Sequence, residues 1–124
     1  MQIVDANIIL RYLLDDIEEL ANKAAHILEN NELFIPNEII SEVVYVMEKV
    51  YKINRKDIQK SLIEFLNYEN INTQDRELLK EALEIYSNRQ LDFVDTLLLS
   101  YNKIKKYTVF TFDKKLEKLL NKQI

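Results

Sequence analysis

Apolar residues return along the chain with two different spacings. Short apolar runs alternate with longer stretches in which apolar positions recur every three or four residues, the marks of buried strands and of amphipathic helices. The runs predict strands from the start to Val4, over Glu32–Ile35, over Asn70–Asn72 and over Tyr107–Thr111. The helical spacing predicts helices over Asn7–Leu14 and Ile17–Leu28, broken at Asp15-Asp16. Others run from Pro36 to about Tyr51, from the Asn54 cap to Leu66, over Thr73–Ser87, and from Asp92 to about Ile104, with a lysine-rich one after Asp113. Asn70–Asn72 has poor strand propensity and is placed by the alternation. The expected fold class is α/β: a three-layer α/β/α arrangement with a central parallel sheet of four short strands, or five, and about seven helices. At 124 residues, a single domain spanning 1–124 is expected.

The helical wheels sort the acids. On the third helix Ile39, Ile40, Val43, Val44, Val46, Met47 and Val50 form the apolar arc, with Glu42 at its rim and Glu48 on the opposite side. On the helix after Leu91 the arc is Phe93, Val94, Leu97, Leu98, Tyr101 and Ile104. Asp92, Asp95, Thr96 and Leu99 share the other side, Asp95 nearer the core. Asp5 and Asp113 each stand just past the carboxyl end of a predicted strand, the edge at which open α/β sheets bind ligands. These acids also have plainer explanations: Asp5 and Asp113 at helix starts, Asp92 with Asp95 as a capping-box variant, and Glu42 as a partly exposed surface glutamate.

Composition removes most other chemistry. With Cys 0 and His 1 there is no disulfide, thiol nucleophile or paired-ligand zinc motif. Gly 0 excludes the glycine loops that cradle nucleotide phosphates, so no nucleotide cofactor site is expected. Asn at Asn30-Asn31, Asn67 and Asn88 is expected to replace glycine where helices stop, because Asn tolerates left-handed backbone. No apolar run of about 18 residues and no secretory pattern occurs, which predicts no membrane partner and a cytoplasmic location.

The formal net charge is −4, yet from Tyr101 onward seven lysines face two acids. A basic segment in an acidic chain offers local phosphate contacts or a solvated face. Carboxylates meeting at one sheet edge repel one another unless a divalent cation lies among them. With oxygen donors and no His or Cys, that cation is Mg²⁺ or Mn²⁺, whose main business is phosphoryl chemistry.

Four stretches then carry a resemblance: Val4-Asp5-Ala6-Asn7, Ile40-Ser41-Glu42-Val43-Val44-Tyr45, Asp92-Phe93-Val94-Asp95-Thr96-Leu97, and Thr111-Phe112-Asp113. In order and spacing they resemble the motifs of the PIN-domain family, especially VapC-type toxins of toxin–antitoxin pairs. The resemblance implies a Mg²⁺- or Mn²⁺-dependent endoribonuclease with Asp5, Glu42, Asp95 and Asp113 as the acidic quartet. Asp5 and Asp95 would be the most direct metal ligands, with Asp113 beside them and Glu42 acting through water. Asn7, Thr111 and Asp92 would be supporting polar groups. Arg11, Lys114 and Lys115 are the candidates for RNA phosphates. A cognate antitoxin and a homodimer are the implied partners.

Rival readings differ at named positions. A haloacid-dehalogenase-type phosphatase needs a second acid where Asn7 stands, and a phosphoacceptor signalling domain needs an acid next to Asp5. An RNA-processing nuclease outside toxin–antitoxin pairs and an inactive PIN-like binding module share the motifs; the presence of all four acids counts against the inactive module.

Overall fold

The computed structural model describes residues 1–120. Residues 121–124, which include Lys122 of the basic segment, lie outside the described residues. Among the described residues, seven helices surround two very short strands. Helix α1 (Ala6–Leu14) starts where the Asp5 carboxylate accepts the Ile8 N–H at 3.2 Å. It packs against α2 (Glu18–Glu29) and α3 (Asn37–Lys49). Helix α4 (Arg55–Leu66) is capped by Asn54, whose side chain accepts the Asp57 N–H at 2.9 Å. Helix α5 (Arg76–Asn88) is capped by Asp75 on Leu78 N–H at 3.0 Å, and α7 (Lys114–Leu119) by Asp113 on Leu116 N–H at 2.9 Å. Helix α6 (Phe93–Lys105) lies along α5.

The main core gathers Ile9, Ile40, Val43, Ile58, Leu62, Phe65, Leu78 and Leu79, all buried, from α1, α3, α4 and α5. A smaller one, Leu91, Leu99 and Leu116, seats α7 against α6.

The sheet is far smaller than the four or five strands that the pattern predicts. Strand β1 (Leu33–Phe34) pairs in parallel with β2 (Ile71–Asn72), in register Leu33 with Ile71 and Phe34 with Asn72. The amino-terminal stretch contributes one parallel bridge, Gln2 to Leu33, with Phe34 N–H donating to the Gln2 carbonyl at 2.7 Å. The predicted last strand, Tyr107–Thr111, forms no ladder among the described residues. Its start is held elsewhere. Tyr107 stacks on Tyr101 with ring centroids 5.9 Å apart, and its carbonyl accepts Asn102 Nδ2 at 2.9 Å. The chain therefore leaves α6 tied to that helix rather than laid along Gln2–Val4, and Phe110 and Phe112 stand 93% and 100% exposed. The architecture is a helical assembly around a two-stranded parallel ribbon, with helices before and after each strand.

Two further expectations change. The Asn residues end helices without adopting left-handed backbone. Asn30, Asn31 and Asn88 instead donate their amides to the carbonyls four residues back, at 2.7, 2.8 and 3.1 Å. Left-handed backbone falls to Asp15 (φ 49°), Lys52 (φ 57°) and Lys106 (φ 61°). On α6, Val94 and Ile104 are exposed while Thr96 and Ser100 are fully buried. Their hydroxyls donate to the carbonyls of Phe93 (2.6 Å) and Thr96 (2.8 Å) of the same helix. Satisfied locally, these small side chains bury without a penalty and let α5 and α6 approach.

Candidate active site

The amino-terminal end of α6 opens into a cleft of about 440 Å³ between α3 and α6. Asp92, Phe93, Val94 and Asp95 form one wall; Ser41, Val44, Tyr45, Glu48 and Lys49 form the other, with Tyr86 of α5 at the base. Ser41, Tyr45 and Glu48 lie four and three residues apart, hence on one face of α3.

Asp92 occupies the N-cap position of α6 but makes no side-chain cap bond. Neither it nor Asp95 has an ion-pair partner among the described residues. The capping box therefore does not consume these carboxylates. Burial pushes the Asp95 carboxyl above the usual carboxylate range, and the negative charges of Asp92 and Asp113 push it further the same way. Three acids from α6 and the α7 cap thus share one field.

The other expected residues are distributed more widely. Asp5 and Glu42 are exposed, and neither lines the cleft. Asp5 and Asp113 each spend Oδ1 on their helix cap. Thr111 Oγ1 accepts the Asp113 N–H at 3.0 Å and so shapes the turn before that acid. Asn7 is exposed on the first turn of α1. Arg11 is committed elsewhere, bonded to Asp16 at 3.0 Å and to the Tyr51 hydroxyl at 2.7 Å. Lys114 and Lys115 are exposed, and Lys115 donates to the Gln90 carbonyl just before the acidic wall.

Glu48 reverses its expected position. It lines the cleft, where Tyr86 of α5 and Arg55 of α4 both reach its carboxylate. Burial pushes its carboxyl up, but the Tyr86 hydroxyl that donates to it and the nearby Arg55 and Lys49 charges outweigh burial and hold it below the usual range. The Tyr86 phenol is driven up from its ordinary value by burial first and by the Glu48 bond second. Arg55 lies over the Tyr86 ring at 4.1 Å and reaches Glu48 at 3.4 Å. Sequence alone assigns Arg55 and Tyr86 no role at the site, and Tyr45 only its place in the second motif. The spacing of Ser41, Tyr45 and Glu48 was the available signal for the α3 wall; Arg55, at the first turn of a distant helix, had none.

Whether a divalent ion fits can be judged from the donors. Asp5, Glu42, Asp92, Asp95 and Asp113 lack cationic partners among the described residues, and hard oxygen donors suit Mg²⁺ or Mn²⁺. Among the described residues no three His, Cys, Asp or Glu side chains form a closed metal cage. Mg²⁺ does not require one, since it keeps several waters and binds through one or two carboxylates. The Asp92–Asp95 wall fits that mode.

Comparison with known proteins agrees with the motifs. The sequence profile of the PIN domain family matches residues 3–121. A curated relative, a VapC ribonuclease of Aquifex aeolicus (strain VF5), is 32% identical over 103 residues, covering 78% of this chain and 75% of that protein. No solved structure matches the chain.

Proposed function

The chain belongs to the PIN-domain family, and from that premise we propose that it is a metal-dependent endoribonuclease and the toxin of a toxin–antitoxin pair. The observation that carries the reading is the unpaired acidic wall of Asp92 and Asp95 on a cleft, in a chain similar over most of its length to a VapC ribonuclease. Mg²⁺ or Mn²⁺ would be held at the Asp92–Asp95 wall, with Asp5, Asp113 and, through water, Glu42 as the further ligands that the family resemblance implies. The ion supplies Lewis acidity at the phosphodiester and offsets charge on its oxygens.

The chain's own groups do the rest. Asp92 and Asp95, uncapped and unpaired among the described residues, present oxygens to the cleft. Thr111 sets the turn that carries Asp113, and Asn7 offers a polar group next to Asp5. Tyr45, 63% exposed, and Val94, 55% exposed, line the mouth with apolar surface against which a nucleobase can lie. Glu48 is engaged with Tyr86 and Arg55, so it shapes the base of the cleft rather than joining the acids.

RNA is the substrate and a cognate antitoxin protein the regulator in this reading. One nuclease unit spans residues 1–124, works as a homodimer and acts in the cytoplasm. Among the described residues no helix is long and apolar enough to cross a membrane. The test incubates the protein with total RNA and Mn²⁺, with and without chelator, beside Asp95→Asn. Cleavage in the first tube alone supports the reading; equal cleavage, or none, in all three overturns it. Sedimentation equilibrium reads the dimer.

A further inference from the structure

Only some of the lysines and arginines among the described residues are tied up in ion pairs. Arg11 pairs with Asp16, Lys23 with Glu19, Lys49 and Arg55 with Glu48, Lys103 with Glu81 and Lys105 with Asp75. Of those that have none, Lys56, Arg89 and Lys115 converge on one short loop, Asn88 to Leu91, between α5 and α6. Lys56 reaches it from α4, its Nζ 3.3 Å from Asn88 Oδ1. Lys115 reaches it from α7 and donates to the Gln90 carbonyl. Arg89 belongs to the loop, and its side chain is exposed.

The loop is held rather than free to swing. Arg55 Nη1 donates to the carbonyls of Arg89 at 2.9 Å and Leu91 at 2.6 Å. Apart from Asp92, which belongs to the acidic wall, the acids beside it are engaged: Glu48 by Tyr86 and Arg55, Glu84 by Asn88 and Gln59. An ammonium has three donors, and Lys56 and Lys115 each spend one on the loop. Gln90 precedes Asp92 by two residues, so their Cα atoms lie within about 7.6 Å. A cationic collar therefore adjoins the acidic wall in a protein whose net charge is −4.

We propose that this collar of Lys56, Arg89 and Lys115 is the track for single-stranded RNA leaving the cleft, binding the phosphates next to the one that is cut. The inference rests on the ribonuclease reading and adds the path of the strand. Acids at the cleft repel the phosphate chain, and the collar offsets that repulsion beside it. Tyr45 and Val94, exposed at the cleft mouth, offer apolar surface to unstacked bases, which a single strand presents and a duplex does not.

Fluorescence anisotropy with a labelled 12-nucleotide RNA tests this, in an Asp95→Asn background with Mg²⁺ so that the probe stays whole. Each phosphate contact on a single strand contributes about 0.7 to the slope of log affinity against log salt. Replacing Lys56, Arg89 and Lys115 together by Gln is expected to lower that slope by about 2 and weaken binding at least tenfold. Lys23→Gln, remote on α2, is the control and changes neither. Unchanged slope and affinity in the triple variant overturn the track. So does loss of binding to a polyglutamate peptide with RNA binding retained, which reassigns the collar to an acidic protein. Should the triple variant unfold, Arg89→Gln alone decides, with a slope lower by about 0.7 expected and no change overturning the proposal. Failure of the ribonuclease reading shows separately, as absence of Mn²⁺-dependent cleavage by the unaltered chain.

Discussion

Arg55, at the first turn of α4, donates its Nη1 to the carbonyl of Leu91 at 2.6 Å, across 36 residues of sequence. The same nitrogen reaches the carbonyls of Tyr86 (3.3 Å) and Arg89 (2.9 Å), at the end of α5 and just beyond it. One guanidinium thus joins the end of α5 to the start of α6, where Asp92 and Asp95 begin. Arg55→Ala leaves Glu48 half-buried without its Arg partner and these carbonyls without a donor, so a loss of roughly 3 kcal/mol is expected in urea unfolding. Arg55→Lys should recover less than half, because a point ammonium cannot reproduce a planar fork.

The acids separate by what their removal costs. Asp5 and Asp113 cap helices, so Asp5→Ala and Asp113→Ala should each lose about 1 kcal/mol of stability. Asp92 makes no side-chain cap bond and shares a field of like charge with Asp95. Asp92→Asn should therefore lose no more than about 0.5 kcal/mol in chelator while reducing RNA cleavage. Thermal unfolding beside an RNA cleavage assay reads both.

Acid sensitivity should be felt at Asp75 as well as at Glu48. The bond from Lys105, at 2.8 Å, and the cap bond from Leu78 N–H hold the Asp75 carboxyl below the usual range. A depressed carboxyl stabilises fully above its unfolded value of about 3.9, and that contribution is lost as pH falls through the lower folded value. Melting temperatures from pH 5 to pH 2 should fall less steeply for Asp75→Asn than for the unaltered chain. Equal slopes would mean the pair contributes nothing.

Lys106 holds left-handed backbone (φ 61°, ψ 25°) at the end of α6 with an exposed side chain. Glycine relieves the Cβ clash there, and Lys106→Gly should gain about 0.5 to 1 kcal/mol in the same unfolding assay.

The helices were legible because apolar spacing and caps agree locally. Asn54, Asp75 and Asp113 each precede a helix and cap it as their types suggest. The sheet was not, because its strands are two residues long and too short for any alternation to develop. Tyr107–Thr111 has every local mark of a strand, yet Tyr101 and Asn102 hold its first residue at α6, a tertiary contact that propensity does not report. The acidic site was legible in part. Asp92 and Asp95 were identified together, but the partners that shape their cleft, Arg55, Tyr86 and Glu48, come from α4, α5 and the flank of α3.

A backbone with Gly 0 starts folding from a narrower set of disordered shapes than most chains of its length. Less freedom is therefore surrendered when it orders. Calorimetry should register this as an unfolding entropy near 60 °C below the common value of about 2.1 cal/mol/K per residue, a thermal resilience that no contact in the folded molecule records.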